Sequence, residues 1–317
     1  MIWNNSNLPA DASQGGAFSG PSSHRLIFSA RFCYADRRMA IEQCIKTLLV
    51  SLFLLCCAAS LSAQAPSQSR IGTNLTVAAF GGWRTAQKGV DFRTIVLERI
   101  EPNYQVELKL VRFDPAAITP RILHGRDLQL LNGANTKTFA EMTGAIAAIN
   151  ANYFDEKGRA LAYLKTAAKE INRSVSKHSL YTGVFGLRDG SPFVMHRDDF
   201  KPSQASEALQ SGPLLLHRGT TVGVMRGLGR YARRAVVGID RDGRVIIAVT
   251  DAVLGGLSFA ELQALFAKPK AQLDTTDLLN LDGGGSAQLY LKAGSLEEWV
   301  AGTTDVPVAI GFFAKAN

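Results

Sequence analysis

Residues 233–251 read "RRAVVGIDRDGRVIIAVTD". Two runs rich in β-branched residues, "RAVVGID" and "RVIIAVTD", flank Arg241-Asp242-Gly243, and the Asp-Gly pair marks a tight turn. The stretch therefore predicts a β-hairpin. Its ends are charged, with Arg233 and Arg234 where the first strand begins and Asp251 where the second stops.

Upstream, "LTVAAF", "VDFRTIVLERI" and "YQVELKLVRFD" have the same character. In the last, Val106, Leu108, Leu110 and Arg112 alternate with Glu107, Lys109, Val111 and Phe113, the pattern of a half-buried strand, broken at Asp114-Pro115. Further strands are predicted at "AIAAIN", "LYTGVFGL", "GPLLLHRG", "DLLNLD", "AQLYLK" and "PVAIGFFA". Helices are predicted in two places. One lies across "NTKTFAEMTGA". In the other, Ser258 caps "SFAELQALFAK", with Glu261 completing a capping box and Phe259, Leu262, Leu265 and Phe266 forming the apolar face. Many strands with few, non-alternating helices imply an α+β fold with a mostly antiparallel or mixed sheet. No internal repeat or change of composition divides residues 66–317, which are expected to form one domain.

The N-terminal part reads differently. Residues 1–38 are polar without sustained apolar periodicity and are expected to be an extension that is not native or not translated, with translation starting at Met39. In residues 39–65, Lys46 precedes an apolar run from Thr47 to Ala59, and small residues follow through Ser60, Ser62, Ala63 and Ala65. That order is a signal peptide, and the run is short for a membrane span of about 20 residues. The expectation is export to the periplasm or beyond, with no stable membrane span after cleavage. Cys33, Cys44, Cys56 and Cys57 all precede the cleavage region, so thiol catalysis, zinc–thiolate sites and a disulfide scaffold are excluded for the mature chain.

The formal net charge is +8, but the basic residues are scattered among acids, as in "KTAAKEINRSVSK". No basic stripe with interleaved aromatics is present, so nucleic acid is not an expected partner. Attraction to anionic substrates is the more natural consequence. Phosphate-binding glycine loops, zinc-protease motifs and nucleophile-elbow serines are absent. His124, His178, His196 and His217 are isolated in sequence and read as structural, with an acid or base role for one of them left open.

Four polar punctuations interrupt the apolar strands. Asn150, Asn152 and Asp155 stand around Tyr153 and Phe154; Ser211, Gly212 and Pro213 precede a strand; Arg233 and Arg234 begin one; Asn280 and Asp282 end one, before Gly283, Gly284, Gly285 and Ser286. Polar groups at strand ends often converge on a cleft, whereas Asn and Asp taken singly also make ordinary turns. The glycine run strengthens the case for Asp282, because successive backbone N–H groups can form an anion-binding nest.

The segments "AAINANYFDEKG", "SGPLLLHRG", "RRAVVGIDRDGRVIIAVTD", "GLSFAELQALF" and "LLNLDGGGSAQLY", in this order and spacing, resemble the phosphodiester glycosidase family. That is the family of the lysosomal enzyme that uncovers mannose 6-phosphate by removing N-acetylglucosamine. The resemblance covers most of residues 85–315. It implies hydrolysis of a sugar-1-phosphodiester on an exported glycan or glycoconjugate, with a phosphorylated sugar or envelope glycan as partner. The implied catalytic residues are Asp282 and Asp251 as carboxylates and Arg234 as phosphate holder. Asn150, Phe154, Asp155, Gly212, Asn280, Gly283, Gly284, Gly285 and Ser286 would bind substrate, the glycine N–H groups assisting Arg234. No cofactor is required in this reading. Departures from the family's pattern are Ala252 after Asp251, Ala287-Gln288 after the glycine–serine element, and Asn152-Tyr153 where small residues are common; these changes bear on the width of the sugar pocket and the choice of substrate. Two other classes stay open: a non-catalytic module binding phosphorylated envelope glycans for exopolysaccharide synthesis or export, and a hydrolase in which Asp282, Asp251 and Asp155 ligate Ca²⁺ or Mg²⁺.

Overall fold

The hairpin read from residues 233–251 lies inside the largest sheet, and its apolar runs are continuous because both of its faces are covered. The computed structural model describes residues 69–71, 74–223 and 231–315. The extension and signal-peptide readings of residues 1–38 and 39–65 lie outside the described residues. In chain order the first strands are β1 (Ser69–Arg70), β2 (Leu75–Ala79), β3 (Arg84–Gln87), β4 (Val90–Arg99), β5 (Tyr104–Phe113), β6 (Ile118–His124) and β7 (Ala147–Asn150). Next come β8 (Leu164–Lys165), β9 (Glu170–Asn172), β10 (Gly183–Arg188), β11 (Ser191–His196), β12 (Glu207–Ser211), β13 (Leu214–His217) and β14 (Thr220–Thr221). The last are β15 (Ala235–Asp240), β16 (Val245–Asp251), β17 (Thr275–Asn280), β18 (Leu289–Ala293), β19 (Leu296–Val300) and β20 (Val308–Ala314).

A ten-stranded sheet runs β1-β2-β4-β5-β16-β15-β17-β13-β14, with β3 beside β4. Two five-stranded sheets follow the orders β11-β10-β12-β8-β9 and β19-β18-β7-β20-β6. The pairings along the β15–β16 hairpin and around it are antiparallel. The α-helices among the described residues are α1 (Thr136–Thr143) and α2 (Phe259–Phe266). Asn135 caps α1, its side chain accepting from the Thr138 N–H, and Gly144 ends it at φ 74°. Ser258 and Glu261 form the capping box expected for α2.

Alternate residues of the hairpin enter different cores. Ala235, Val237, Val245, Ile247 and Val249 join Ile149, Phe185, Leu209, Leu289 and Ile310 in a core shared by all three sheets. Val236, Ile246 and Ala248 join Leu108, Leu110, Leu278 and the α2 residues Leu262, Leu265 and Phe266 in a second. Each Val, Ile, Leu or Phe among them contributes about 1.5–3 kcal/mol by leaving water. Strand β5 departs from simple half-burial for the same reason: Val106, Leu108 and Leu110 face the second core, while Val111 and Phe113 face the first. Phe113 stacks on Phe312 of β20 with centroids 4.0 Å apart, tying the large sheet to a small one.

The hairpin turn is built by Asp240, buried at the end of β15. Its Oδ1 accepts from the Asp242 and Arg244 N–H groups at 3.0 and 2.8 Å, and Gly243 takes φ 77°. Among the described residues no helix is long and apolar enough to cross a membrane.

Candidate active site

Strand β17 delivers Asn280 and then Asp282 to a point where the end of β7 arrives from another sheet. Asn150, the last residue of β7, donates from Nδ2 to the Asp282 carbonyl (2.7 Å) and accepts at Oδ1 from the Gln288 N–H (3.0 Å). The Asp282 N–H in turn donates to the Ala151 carbonyl at 2.9 Å. The side chain of Asn150 is thus a clamp between strands, and it holds the Asp282 backbone rather than opening toward a ligand.

Around that clamp stands a polar cluster. Asn280 is fully buried and donates from Nδ2 to the Tyr153 hydroxyl (3.0 Å) and to the Gly212 and Leu281 carbonyls (2.9 and 2.6 Å). The Tyr153 hydroxyl donates to the Gly212 carbonyl at 3.0 Å. Three distant segments of sequence therefore meet at one tyrosine oxygen. Burial pushes the Tyr153 phenol well up, and the Asp282 charge adds to the shift while Arg234 opposes it. Tyr153 thus lies within the field of both charged groups.

Asp282 itself is raised above the usual carboxylate range, chiefly by burial, with hydrogen bonds from Ser286 and the Gly283 N–H pulling it back. The Gly283 N–H to Oδ1 distance is 2.9 Å. Arg234 is nearly buried, and its guanidinium is oriented by a 2.8 Å bond from Nε to the Leu257 carbonyl and by the Phe259 ring 3.9 Å away. It stands beside the glycine run, since a Cβ added to Gly283 would lie 3.7 Å from Arg234 Nη1. Burial lowers its basicity, countered by Tyr153 and Glu261.

The glycines serve packing more than a nest. The Gly283 N–H is turned onto Asp282 and the Gly284 N–H onto the Arg233 carbonyl (2.9 Å), so these two do not point at a ligand as expected. A Cβ on Gly283 would approach the Arg233 carbonyl to 2.8 Å, and one on Gly285 the Thr303 hydroxyl to 2.6 Å. Gly284 adopts φ 61°.

Other predicted residues fall elsewhere. Asp251 ends β16 on the surface and lines a cavity of about 460 Å³ with Arg233, Gly284, Gly285 and Thr303. Its charge acts on Arg233. Asp155 organises the turn after Phe154: Oδ1 accepts from the Lys157 and Arg159 N–H groups, and Oδ2 pairs with Arg159 at 2.7 Å. It lines a separate cavity with His124, Arg126 and Asn172, and Phe154 lines another with Leu130 and Pro307. The ordinary-turn reading of "FDEKG" is what the geometry shows. Among the described residues no three His, Cys, Asp or Glu side chains converge to hold a metal ion. The proposed set of Asp282, Asp251 and Asp155 is therefore not assembled, because the last two sit at the exposed end of β16 and in a surface turn.

Gly212 is where space is tightest, since a Cβ there would lie 1.9 Å from the Leu180 carbonyl. Gly212→Ala is expected to lower stability by about 1–3 kcal/mol through forced backbone movement. Urea unfolding checks this; a midpoint equal to the parent's would mean that the 180–182 loop does not pack here.

The sequence profile of the phosphodiester glycosidase family matches residues 143–313, from the end of α1 into β20. The chain belongs to the phosphodiester glycosidase family. Within this family member the match spans the β7 clamp, Tyr153, Gly212, Arg234 and the glycine run. Solved structures of similar fold include the zebrafish N-acetylglucosamine-1-phosphodiester alpha-N-acetylglucosaminidase catalytic domain, auto-inhibited by its pro-peptide. It has a TM-score of 0.55 and 16% identity over 75% of this chain and 88% of that one. A hypothetical protein from Synechocystis matches with the same TM-score and identity over 74% of this chain and 64% of that one. At such identity these likenesses speak to the fold. No curated protein matches the sequence.

Tyr153, a departure from the family's pattern in the sequence, is the residue the structure sets at the centre of the cluster; its sequence signal is its place between Asn152 and Phe154 at a punctuated strand end.

Proposed function

We propose that this phosphodiester glycosidase family member hydrolyses the C1–O–P linkage of a sugar-1-phosphodiester, releasing the sugar and a phosphate monoester. The observation that supports it best is the partly buried Asp282 carboxylate, raised in pKa, standing in one cluster with Tyr153 and the Arg234 cation. A phosphate monoester is already a good leaving group, so the reaction needs a cation at the phosphate more than a strong general acid. Arg234 supplies that cation. Asp282 acts as general base: it takes a proton from the water that attacks the anomeric carbon, while the C1–O bond breaks and its electron pair leaves with the phosphate. The proton then passes to solvent. Because water attacks C1 directly, in a single displacement, the anomeric configuration inverts; Asp251, grouped with Arg233, is not used as a second carboxylate.

Each role falls to a protein group and no cofactor is required. The signal-peptide reading of residues 39–65 supports an exported glycan or glycoconjugate as substrate, in the periplasm or outside the cell.

The test is a panel of synthetic sugar-1-phosphodiesters incubated with the purified protein, with the new anomeric signal followed by proton NMR. Release of sugar with inverted configuration is expected. Binding without turnover across the panel would sink the hydrolase reading, and retained configuration would reassign Asp282 as nucleophile.

A further inference from the structure

Away from the Asp282 cluster, a cavity of about 750 Å³ lies where strands of the two five-stranded sheets come together. Part of its lining is apolar: Leu164 and Ile171 come from β8 and β9, Val308 begins β20, and Leu161 stands on the adjoining loop. Glu207 of β12 ties the two sheets, accepting from Arg121 Nε at 2.6 Å and from the Ile122 N–H at 2.7 Å. The loop that closes one side is held by its own bonds. Asn172 Nδ2 donates to the Ala160 carbonyl at 2.8 Å, and Asp155 Oδ1 accepts from the Lys157 and Arg159 N–H groups. The shape is therefore preorganised. None of Tyr153, Gly212, Arg234, Asn280 and Asp282 lines it.

The rest of the lining is cationic. Arg126, Arg159 and Arg173 face one carboxylate, Asp155. Arg159 is committed to Asp155 at 2.7 Å, and Arg173 Nε stands 3.5 Å from Glu170. Nearby Lys169 pairs with Asp127 at 2.8 Å. Arg126 has no carboxylate partner among the described residues, and its Nη2 reaches the Lys157 carbonyl at 3.5 Å. His124, the last residue of β6, adds a second group of this kind. Its ring is more than nine-tenths buried, and Nδ1 has no hydrogen-bond partner among the described residues, the Asp127 carboxylate standing 3.5 Å away. A buried polar atom without a partner costs free energy until something meets it. A guanidinium beside an apolar lining is suited to an oxyanion, which it binds through two parallel N–H bonds.

We propose that this cavity is a second binding site, separate from the Asp282 cluster, for an organic oxyanion that carries an apolar body. Arg126 takes the anionic group, Arg173 adds charge at the rim, and His124 contributes a ring nitrogen. The apolar body lies against Leu161, Leu164, Ile171 and Val308. Size decides against a bare ion: cavities of about 300–1,000 Å³ take molecules of drug size, and a small ion would leave the apolar lining uncovered. The anionic group is a carboxylate or a phosphate monoester, since both offer a guanidinium two oxygens at once. The site does not depend on what the Asp282 cluster does.

The test titrates the purified protein with hexanoate and with hexyl phosphate by ligand-observed NMR, using hexylamine, acetate and inorganic phosphate as controls. At least one hexyl anion is expected to bind, and which of them does so identifies the anionic group. Hexylamine, a cation at neutral pH, is expected not to bind. Each CH₂ removed from the tail should weaken binding by about two- to fourfold, so the short anions bind far less well. Arg126→Gln is expected to weaken binding about tenfold and Leu161→Asn about threefold. Both positions are exposed, so both variants should melt with the parent. Should Arg126→Gln melt early, Arg173→Gln replaces it, with an expected loss of about threefold. The proposal is overturned if neither hexyl anion binds, or if acetate or inorganic phosphate binds as tightly as its hexyl homologue. It is also overturned if binding is indifferent to Arg126, which would place the anion elsewhere, the Arg234 cluster included. Arg126-dependent binding by a protein that hydrolyses no diester upholds this site and removes the hydrolase reading.

Discussion

Asp282→Asn is expected to reduce hydrolysis of a sugar-1-phosphodiester by about 10³-fold, within the range usual for loss of a positioned general base. The substitution preserves shape and an oxygen able to accept from the Gly283 N–H and Ser286, the groups bonded to Asp282. What it removes is the ability to take a proton. The same change is expected to raise the melting temperature at neutral pH. Because burial raises the folded-state pKa of Asp282 above its unfolded value, the folded protein binds more protons between those two values, and stability falls as pH rises through them. The ionised carboxylate is therefore a burden above that window and none below it. Asn carries no such burden, so its advantage should shrink as pH falls toward the unfolded Asp pKa of about 3.9. In the parent, the acid limb of the rate profile should have its midpoint above that value, because the base must be ionised. Rates for the Asn variant within tenfold of the parent's would remove Asp282 from the chemistry. A lower melting temperature at neutral pH would contradict the burial argument.

Arg99→Met is expected to destabilise the fold by about 3–5 kcal/mol, the usual effect of breaking a buried ion pair by removing one partner. Arg99 is fully buried on β4, and its two terminal nitrogens meet the Glu261 carboxylate at 2.8 and 2.9 Å. Its Nε donates to the Tyr104 hydroxyl at 2.7 Å, and Nη2 donates to the Gly256 carbonyl at 3.2 Å. Without it, Glu261, which is only partly exposed, keeps just its bonds from Ser258. The change should move the urea midpoint down by about 1–2 M. Replacing both partners by Met should recover part of the loss, since no uncompensated charge is then left inside. The effect also reaches the site: Arg99 holds the Gly256 carbonyl and Arg234 the next one, Leu257, so both arginines set where α2 begins. A loss under about 1 kcal/mol for the single variant would show that α2 is held by its apolar face alone.

Much of the architecture is readable from local patterns. The β15–β16 hairpin follows from two apolar runs around Asp-Gly, and α2 from its capping box and apolar stripe, because each depends on neighbours a few residues away. Asp282, Asn280 and Arg234 could be singled out because polar residues next to glycines at the ends of apolar strands have few other reasons to be there. Asp155 was singled out by the same rule, but the structure turns its carboxylate onto its own loop, where two N–H groups lie within four residues. Local hydrogen bonds of that kind and a ligand site leave the same trace in sequence. Asp251 illustrates the other limit. It ends a strand as Asp282 does, yet it lines a cavity with Arg233 instead of joining Tyr153.

By itself, then, the sequence determined the strand-rich α+β class, the hairpin, the α2 capping box and the family, all of which rest on short-range patterns or on motifs in order. Only the tertiary structure decided which polar strand ends meet. Asn150 and Asn280 end strands of two different sheets and Gly212 lies in the link from β12 of the third sheet to β13, and their contact depends on how the sheets pack through Phe113, Phe312 and the shared core. The same packing turns the Gly284 N–H onto the Arg233 carbonyl and sets Tyr181 beside Tyr153. Side-chain direction at a strand end follows from the layer it packs against, and that layer is brought in by residues far away along the chain.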